Sequence, residues 1–436
     1  MAAKRYREIA IKYAEDVSAG VITAGNRFLD DLKRDDLKMS TRDPDLAISI
    51  MESTLVHAQG ENLNGESLLG KPFMLQPWQV FVVYNLLGFY VVETGERRYK
   101  EAFIMLGRKN GKTSFVAALA WAVAIIQRKS GSTVYIVANA LKQALQAFNF
   151  LLFSLQYKKV INDFKVLNNS FDHSISYQFH KGDGTPDGAI RIIALAANPD
   201  SQDSFNCNFA IADEVAAYKK PAQYNRFKEA MKAYSNKLMI GITTAGDNIN
   251  SFGYRRMEYA VKVATGTIRD DTFFSFVARA DQSDHGEVDF LNAEQHAKAN
   301  PSYGVTIRPA DIMQEALQAQ NDPQQRKDFL SRSLNIYTSA MLAYFDLNEF
   351  RNSDQKYNWT MEELARLPID WYGGADLSKL HDLTAAALFG RYRDVDIIIT
   401  HAFFPIVAAH RKADEDDIPL FGWADDGLLT LCNSPT

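Results

Sequence analysis

The chain has 436 residues, of which 47% are hydrophobic and 23% charged, and this composition excludes a mostly disordered or collagen-like protein. Lys and Arg number 48 against 53 Asp and Glu, so the net charge is −5 and excludes a protein that coats nucleic acid over its whole surface. The sequence has no membrane-spanning apolar run and no signal-peptide core, and its two cysteines cannot build a disulfide framework or a zinc site. These features predict a multidomain cytosolic protein whose contacts with DNA, if any, are local.

Over the first 243 residues, the sequence pattern changes from helices alone to alternating strands and helices. Residues 1–65 predict helices with charged faces, and a hydrophobic helix entered through Pro77 follows. From residue 97 onward, short β-rich segments alternate with helices, which is typical of parallel βα units with helices on both faces of a sheet. The predicted strands are 103–106, 133–138, 190–195, 209–212 and 238–243, and the predicted helices are 113–129 and 141–155.

The strongest motif is a phosphate-binding loop in the segment IMLGRKNGKTSF, where Gly-Lys-Thr opens a helix directly after a strand. Backbone N–H groups and the helix dipole at such a position attract phosphate. Lys112 is predicted to reach the β- and γ-phosphates of ATP, and the Thr113 hydroxyl to ligate Mg²⁺. The usual pattern has its first glycine at the position of Leu106, whereas this chain has Gly107. The alternative is a basic turn before a core helix.

An acidic pair ends the buried strand FAIADE. Asp213 is predicted to hold the Mg²⁺, and Glu214 to act as the general base that polarises water. Because two predicted strands lie between the phosphate loop and this pair, we expect a sheet with an additional strand between the two motifs. Thr243 and Thr244, at the end of the next strand, are predicted to sense the γ-phosphate. The alternatives are a solvated acidic strand end and a plain turn.

Two further side chains are candidates for the nucleotide. The Arg108 guanidinium, like Lys109 beside it, is either close to the phosphates or part of a solvated basic turn. The Gln79 amide matches the donor and acceptor edge of adenine, although a glutamine on a helix is usually just solvated. The complete set of expected ATP contacts is Gln79, Gly107, Arg108, Lys109, Asn110, Gly111, Lys112, Thr113 and Ser114.

In their order and spacing, the segments LQPWQ, GRKNGKT, the strand ending in ADE, ITTAGDN and YGGADLSKLHDLTA resemble the large terminase subunit of tailed bacteriophages, the DNA-packaging motor. The resemblance implies an α/β P-loop NTPase with an additional strand, a helical N-terminal part and a lid, followed by an RNase H-like nuclease domain. The expected division is 1–65 for the N-terminal helices, 66–340 for the ATPase with a lid at 255–338, 341–368 for a connector, and 369–436 for the nuclease.

The resemblance also implies roles and partners. Gln79 would contact adenine, Arg108 would be a cis-acting arginine, and Thr243 and Thr244 would couple hydrolysis to movement. A neighbouring subunit would supply an arginine finger, for which Arg191 and Arg226 are weak candidates. The expected partners are double-stranded viral DNA, the portal protein, the small terminase subunit and further copies in a ring, in the host cytoplasm during virion assembly.

For the nuclease, the resemblance implies cleavage of concatemeric DNA with two Mg²⁺ or Mn²⁺ ions held by carboxylates. Asp376, in GGADLS, fits the first of these ligands. Asp382 is interpreted as a turn residue, and the acids at 414–417 as part of a solvated loop. Because the segment after Tyr372 is short for an RNase H-like domain, we expect a truncated nuclease without activity of its own.

Two other functions remain open at this stage. One is a helicase-type ATPase on nucleic acid, which would share the ATP site but leaves GGADLS without a role. The other is a nucleotide-dependent assembly switch with little turnover, and Glu214 argues against it because a switch needs no strong base.

Overall fold

The computed structural model describes residues 2–17, 24–196, 205–218, 221–283, 286–338, 353, 357–377, 383–416, 418 and 420–433. The chain divides into two compact units, Met1–Ala340 and Met341–Thr436, and each is considered by itself. In these ranges no helix has the length and apolar character needed to cross a membrane.

The first unit begins with helices and continues as alternating strands and helices. Its helices are α1 (Ala2–Val17), α2 (Ala24–Asp31), α3 (Arg42–Thr54), α4 (Pro77–Gly88), α5 (Lys112–Ile126), α6 (Leu141–Tyr157), α7 (Pro221–Ala230), α8 (Phe252–Ala264), α9 (Ala293–Ala299), α10 (Pro309–Asn321) and α11 (Pro323–Arg332). As the sequence predicts, α4 starts at Pro77, whose fixed φ and missing N–H suit the first helical position. The uncharged stretch from Phe115 to Ala124 is buried throughout, so α5 is a core helix.

Eight strands form the main sheet of this unit, and two short strands that are distant in sequence form a separate antiparallel sheet. The strands are β1 (Leu37–Met39), β2 (Phe89–Val91), β3 (Glu101–Met105), β4 (Ser132–Ala138), β5 (Lys165–Asn168), β6 (His173–His180), β7 (Pro186–Ala196), β8 (Phe209–Asp213), β9 (Leu238–Thr243) and β10 (Phe273–Val277). β1 pairs only with β2, and the main sheet has the order β10-β3-β9-β8-β4-β7-β6-β5. The six strands from β10 to β7 are parallel, and β6 and β5 extend the sheet antiparallel.

The sheet has helices on both faces, which confirms the predicted α/β class. Along β3, Ala102 and Ile104 join the core cluster under α4 and α5, while Phe103 and Met105 join the cluster under α7 and α8. Successive side chains of a strand point to opposite faces, so both faces of β3 are apolar and buried.

An additional strand does separate the two motifs in the sheet, but it is neither of the two strands that the sequence predicted between them. β9 lies between β3 and β8, whereas β4 and β7 lie beyond β8. β10, which the sequence placed within the lid region, pairs in parallel with β3 as part of the main sheet. Strand order depends on pairing between distant segments, and local patterns carry no information about it.

The second unit is a small mixed α/β unit. It contains α12 (Met361–Arg366), β11 (Tyr372–Asp376), β12 (Thr384–Tyr392), β13 (Val395–Pro405), α13 (Ile406–Asp416), α14 (Leu420–Asp425) and β14 (Leu429–Cys432). Its sheet has the order β11-β12-β13-β14, with antiparallel pairs except for the parallel pair of β13 and β14. A mixed sheet with helices is consistent with the predicted RNase H-like class.

Candidate active site

Three neighbouring parallel strands bring the predicted motifs to one edge of the main sheet. The phosphate loop follows the end of β3, the acidic pair follows β8, and the two threonines follow β9, which lies between them. Because the carboxyl ends of parallel strands meet at the same edge, side chains distant in sequence become neighbours there. The edge at which ligands bind in open α/β sheets therefore carries all three motifs.

The Lys112 side chain lies inside the phosphate loop rather than in solvent. Its Nζ donates to the Leu106 and Gly107 carbonyl oxygens at 3.1 and 2.8 Å, and to Thr244 Oγ1 at 2.6 Å. Burial lowers the pKa of Lys112 to about 8, against the opposing effect of Glu214 and Asp213. The loop reaches the first turn of α5 through Gly111, whose φ of 75° suits glycine.

Asp213 and Thr113 have the donor set expected for Mg²⁺. Thr113 Oγ1 lies 3.4 Å from Asp213 Oδ2, and both are oxygen donors of the kind that Mg²⁺ prefers. Burial, reinforced by the Glu214 carboxylate, raises the pKa of Asp213 to about 7. A carboxylate that is costly to ionise in the free protein gains a compensating charge when a cation binds. These residues therefore fit the cation that the phosphate loop implies.

Glu214 has a backbone conformation that only the structure reveals. Its φ and ψ are 55° and 51°, in the left-handed region, and its N–H donates to Asp213 Oδ1 at 3.0 Å. A glutamate in this region costs about 1–2 kcal/mol relative to a right-handed conformation. Backbone strain of this kind occurs frequently at functional sites, where the fold fixes the direction of one side chain.

The two threonines connect the acidic pair to the phosphate loop. Thr243 Oγ1 accepts from the Ala216 N–H at 3.1 Å, two residues after Glu214. Thr244 Oγ1 accepts from Lys112 and donates to the Leu106 carbonyl oxygen at 3.2 Å. These hydrogen bonds connect the end of β9 to the phosphate loop directly, and to the segment after the acidic pair through Ala216.

The structure brings the remaining candidates to different places. Gln79 is buried, and its Oε1 accepts from the Gln76 N–H at 2.8 Å in a capping box at the start of α4. Arg108 and Lys109 are exposed and line a cleft of about 480 Å³ formed with α10 and α11. Their roles toward adenine and phosphate, like that of partly exposed Ser114, remain predictions.

The two finger candidates lie on β7 and α7. Arg191, on β7, is 54% exposed and lies 4.0 Å from Asp172. Arg226 lies in α7, where it has an interaction partner. A role in a neighbouring copy remains a prediction for both.

Sequence reasoning missed two buried asparagines at this edge. Asn300 contacts the phosphate loop through Asn110, and Asn335 Oδ1 accepts from the Ala245 N–H at 2.8 Å, directly after the two threonines. Asn335 itself has a φ of 59°. A single asparagine in a polar segment reads as a turn residue, so only the adjacent Pro301 marked this stretch as unusual.

Of the acidic residues considered for the nuclease, only Asp376 was predicted as a metal ligand. Asp376 is exposed at the end of β11, while Asp382 and the side chains at 414–417 lie outside the described residues. Over the described parts of the chain, no three His, Cys, Asp or Glu side chains come together as a metal site would require. The described residues therefore do not assemble a two-metal site.

The raised pKa of Asp213 predicts a trade between stability and activity. In nucleotide-free and Mg²⁺-free buffer at pH 8, Asp213→Asn is expected to increase the free energy of unfolding by up to about 4 kcal/mol. The folded-state pKa of about 7 lies above the ordinary 3.8, so the wild type loses stability as pH rises from 4 to 7, and asparagine avoids this loss. ATP turnover should be lost at the same time.

Urea unfolding at pH 5 and pH 8 measures this effect. The gain should shrink at pH 5, where the wild-type carboxyl is mostly protonated. Asp35→Asn, at an exposed site, should match the wild type at both pH values. If Asp213→Asn is less stable than the wild type at pH 8, the ionised Asp213 carboxylate does not destabilise the folded chain, and the prediction is wrong.

Two family models match the chain. The model for the terminase large subunit ATPase domain matches residues 77–262, and the model for the endonuclease domain matches residues 267–434. The second match starts upstream of the expected nuclease boundary at 369 and includes β10 and α9 to α11, which the structure packs into the first unit. An endonuclease domain is thus detected, and the expectation of a truncated, inactive nuclease is not supported.

Two proteins of known sequence and one solved structure are similar to this chain. The terminase large subunit of Enterobacteria phage HK97 is 25% identical over 367 residues, which cover 83% of this chain and 66% of that protein. Protein YmfN of Escherichia coli strain K12 is 28% identical over 229 residues, or 51% of this chain and 49% of that protein. The chain thus spans half to two thirds of these relatives. The crystal structure of the HK97 large terminase shares the fold with a TM-score of 0.54 and 20% identity, over 89% of this chain and 74% of that one. This chain belongs to the terminase large subunit family, with an ATPase domain and an endonuclease domain.

Proposed function

We propose that this chain is an ATP-driven motor that translocates double-stranded viral DNA into a procapsid. The observation that carries the proposal is the convergence of Lys112, the Asp213–Glu214 pair and Thr244 at one edge of the sheet. Membership of the terminase large subunit family supplies the link from ATP hydrolysis to DNA. The motor assembles as a ring of copies on the portal protein, receives DNA with the small terminase subunit, and works in the host cytoplasm during virion assembly.

Nucleotide binding uses the phosphate loop and the start of α5. Backbone N–H groups at Gly111 to Thr113 and the positive end of the α5 dipole attract the phosphates. Lys112 already lies within the loop and transfers its hydrogen bonds from protein oxygens to phosphate oxygens. Thr113 and Asp213 hold Mg²⁺, which neutralises charge on the phosphate oxygens when bound. We assign the adenine to Gln79 and the adjoining phosphate charge to Arg108.

Hydrolysis requires a base beside the γ-phosphate. Glu214 follows the buried end of β8, and its left-handed backbone sets the direction of its carboxylate. We assign it to orient the attacking water and accept its proton, while Asp213 serves the cation. In this proposal, the two neighbouring carboxylates have different roles, Asp213 as a cation ligand and Glu214 as the general base.

Coupling to movement begins at the threonines. Because Thr244 shares its hydroxyl with Lys112 and the loop carbonyl of Leu106, loss of the γ-phosphate rearranges this hydrogen bond first. Thr243 passes the change toward the segment after Glu214 through Ala216. The endonuclease domain would cut the concatemeric genome after packaging.

The two alternatives differ in what ATP hydrolysis does. A helicase separates strands, whereas a packaging motor moves along an intact duplex. An assembly switch binds nucleotide with negligible turnover, and the fixed general base Glu214 favours turnover.

Displacement of a third strand from a DNA triplex tests translocation. With ATP, Mg²⁺, the portal protein and linear duplex DNA, we expect release of the triplex-forming strand without separation of the duplex. Glu214→Gln, which is expected to lose turnover, should not release this strand. Its matched control is Glu229→Gln, at an exposed site of α7, which should behave as the wild type. Separation of the duplex strands would indicate a helicase, and hydrolysis without any displacement would contradict the motor.

A further inference from the structure

The phosphate loop is tied to a segment nearly two hundred residues later by a pair of buried asparagines. Asn110 Nδ2 donates to Asn300 Oδ1 at 2.8 Å, and Asn110 Oδ1 accepts from the Ser302 N–H at 3.0 Å. Both asparagines are about 1% exposed. Asn110 also donates to the Gly107 carbonyl oxygen at 3.0 Å, so one amide spans the loop from within.

Asn300 is fixed in turn by the backbone around it. Its Nδ2 donates to the His296 carbonyl oxygen at 2.9 Å and to the Ser333 carbonyl oxygen at 2.7 Å. The side-chain oxygen and the side-chain nitrogen of each asparagine therefore have hydrogen-bond partners. Buried polar networks that are completely satisfied are rigid and hold one arrangement.

The backbone of the loop makes two parallel connections to the same region. The Gly107 N–H donates to the Ala299 carbonyl oxygen at 3.2 Å, and the Arg108 N–H donates to the Arg332 carbonyl oxygen at 2.8 Å. A side chain at Gly107 would collide with Asn300 Oδ1 and approach the Ser333 carbonyl oxygen within 3.1 Å. The displaced glycine of the phosphate loop is thus explained by close packing against Asn300.

We infer that Asn300 is a positioning residue of the ATP site, holding the phosphate loop through Asn110 in the shape that receives phosphate. The inference rests on the proposed function, because it assumes that this loop binds ATP. Asn300 contacts neither Lys112 nor the acidic pair in any hydrogen bond described, so it acts through the loop. A loop already ordered before binding loses less freedom on binding, and its apparent affinity is accordingly higher.

The effect belongs to binding rather than to the chemical step. Without the amide of Asn300, the loop samples other shapes, and the apparent affinity is multiplied by the fraction of time that the loop spends in the competent shape. Asn300→Ala is expected to raise the Kd and the KM for Mg·ATP about tenfold, with kcat within about threefold of the wild type. Asn321→Ala, at an exposed site at the end of α10, is the matched control and should change neither.

A double-mutant cycle separates positioning from general damage. Asn110→Ala and Asn300→Ala remove the two ends of the same contact. The Kd of the double variant for Mg·ATP should therefore not exceed the higher Kd of the two single variants. Multiplied effects, near a hundredfold in Kd, would show that the two residues act independently and would overturn the inference. Thermal unfolding shows whether Asn300→Ala folds. If it does not, Asn300→Ser, which keeps one donor and one acceptor, should show a smaller rise in Kd.

Binding of Mg·ATP is measured by calorimetry on the full chain, alongside steady-state hydrolysis with DNA. An unchanged Kd in folded Asn300→Ala overturns the inference, even when the wild type hydrolyses ATP normally. A wild type that binds ATP without hydrolysing it overturns the proposed function, while the Kd comparison still decides the role of Asn300.

Discussion

Lys112→Ala is expected to reduce ATP hydrolysis by about 10³-fold, because in the proposed function it removes the cation that faces the β- and γ-phosphates. The Nζ of this lysine donates to two loop carbonyl oxygens and to Thr244 Oγ1, which hold it within the loop. Nucleotide affinity should fall as well, since the lysine contacts phosphate in the ground state and in the transition state. Steady-state phosphate release with DNA, together with calorimetry for ATP, measures both effects.

The control for this variant lies at the other end of the same helix. Lys129→Ala removes an exposed lysine just beyond the end of α5, about 20 Å from the phosphate loop along a helix that rises about 1.5 Å per residue. It should hydrolyse ATP as the wild type does. A folded Lys112→Ala variant with more than a tenth of the wild-type rate would exclude the loop as the ATP site.

Glu214→Gln is expected to lower turnover by about 10³-fold while preserving ATP binding, because glutamine retains the size of the side chain but cannot accept a proton. The left-handed backbone at this position should persist, since neither residue is favoured over the other there. The expected result is thus a chain that binds ATP at wild-type affinity and retains it. Steady-state phosphate release and ATP retention on a filter measure the two halves of this prediction.

The Glu229→Gln control carries the same chemical change at an exposed position of α7. It separates loss of the base from a general effect of removing a negative charge. A Glu214→Gln variant that hydrolyses ATP within threefold of the wild type would assign the base to another residue.

The candidate ATP site could be predicted where its signals are local in sequence. Gly-Lys-Thr between a strand and a helix, and Asp213–Glu214 after four small apolar residues, each need only a short window to be recognised. Both motifs end on parallel strands, and this placement brings them to the same edge of the sheet.

Non-local features were not predictable to the same degree. The position of β9 next to β3 follows from pairing between segments that lie more than a hundred residues apart in sequence. The segment from Phe273 to Val277 follows a helix-rich stretch, and only its pairing with β3 reveals it as part of the sheet. The hairpin of β5 and β6 mixes polar and apolar residues without a regular alternation of buried and exposed positions, so its pattern gives no strong strand signal.

The buried asparagines illustrate a further limit. Asn300 bonds the Asn110 side chain and the Ser333 carbonyl oxygen, and Asn335 bonds the Ala245 N–H. All of these partners are distant in sequence. No residue type or spacing in a single sequence distinguishes such an asparagine from one in a solvated turn.

Counting the phosphates released per chain tests the central claim most directly. Wild-type protein, the portal protein, linear duplex DNA and excess ATP are mixed, and phosphate is followed in time with a fluorescent phosphate sensor. The account predicts many phosphates per chain, released at a steady rate that Glu214→Gln abolishes. Release of at most one phosphate per chain would contradict it and would identify a nucleotide-dependent switch.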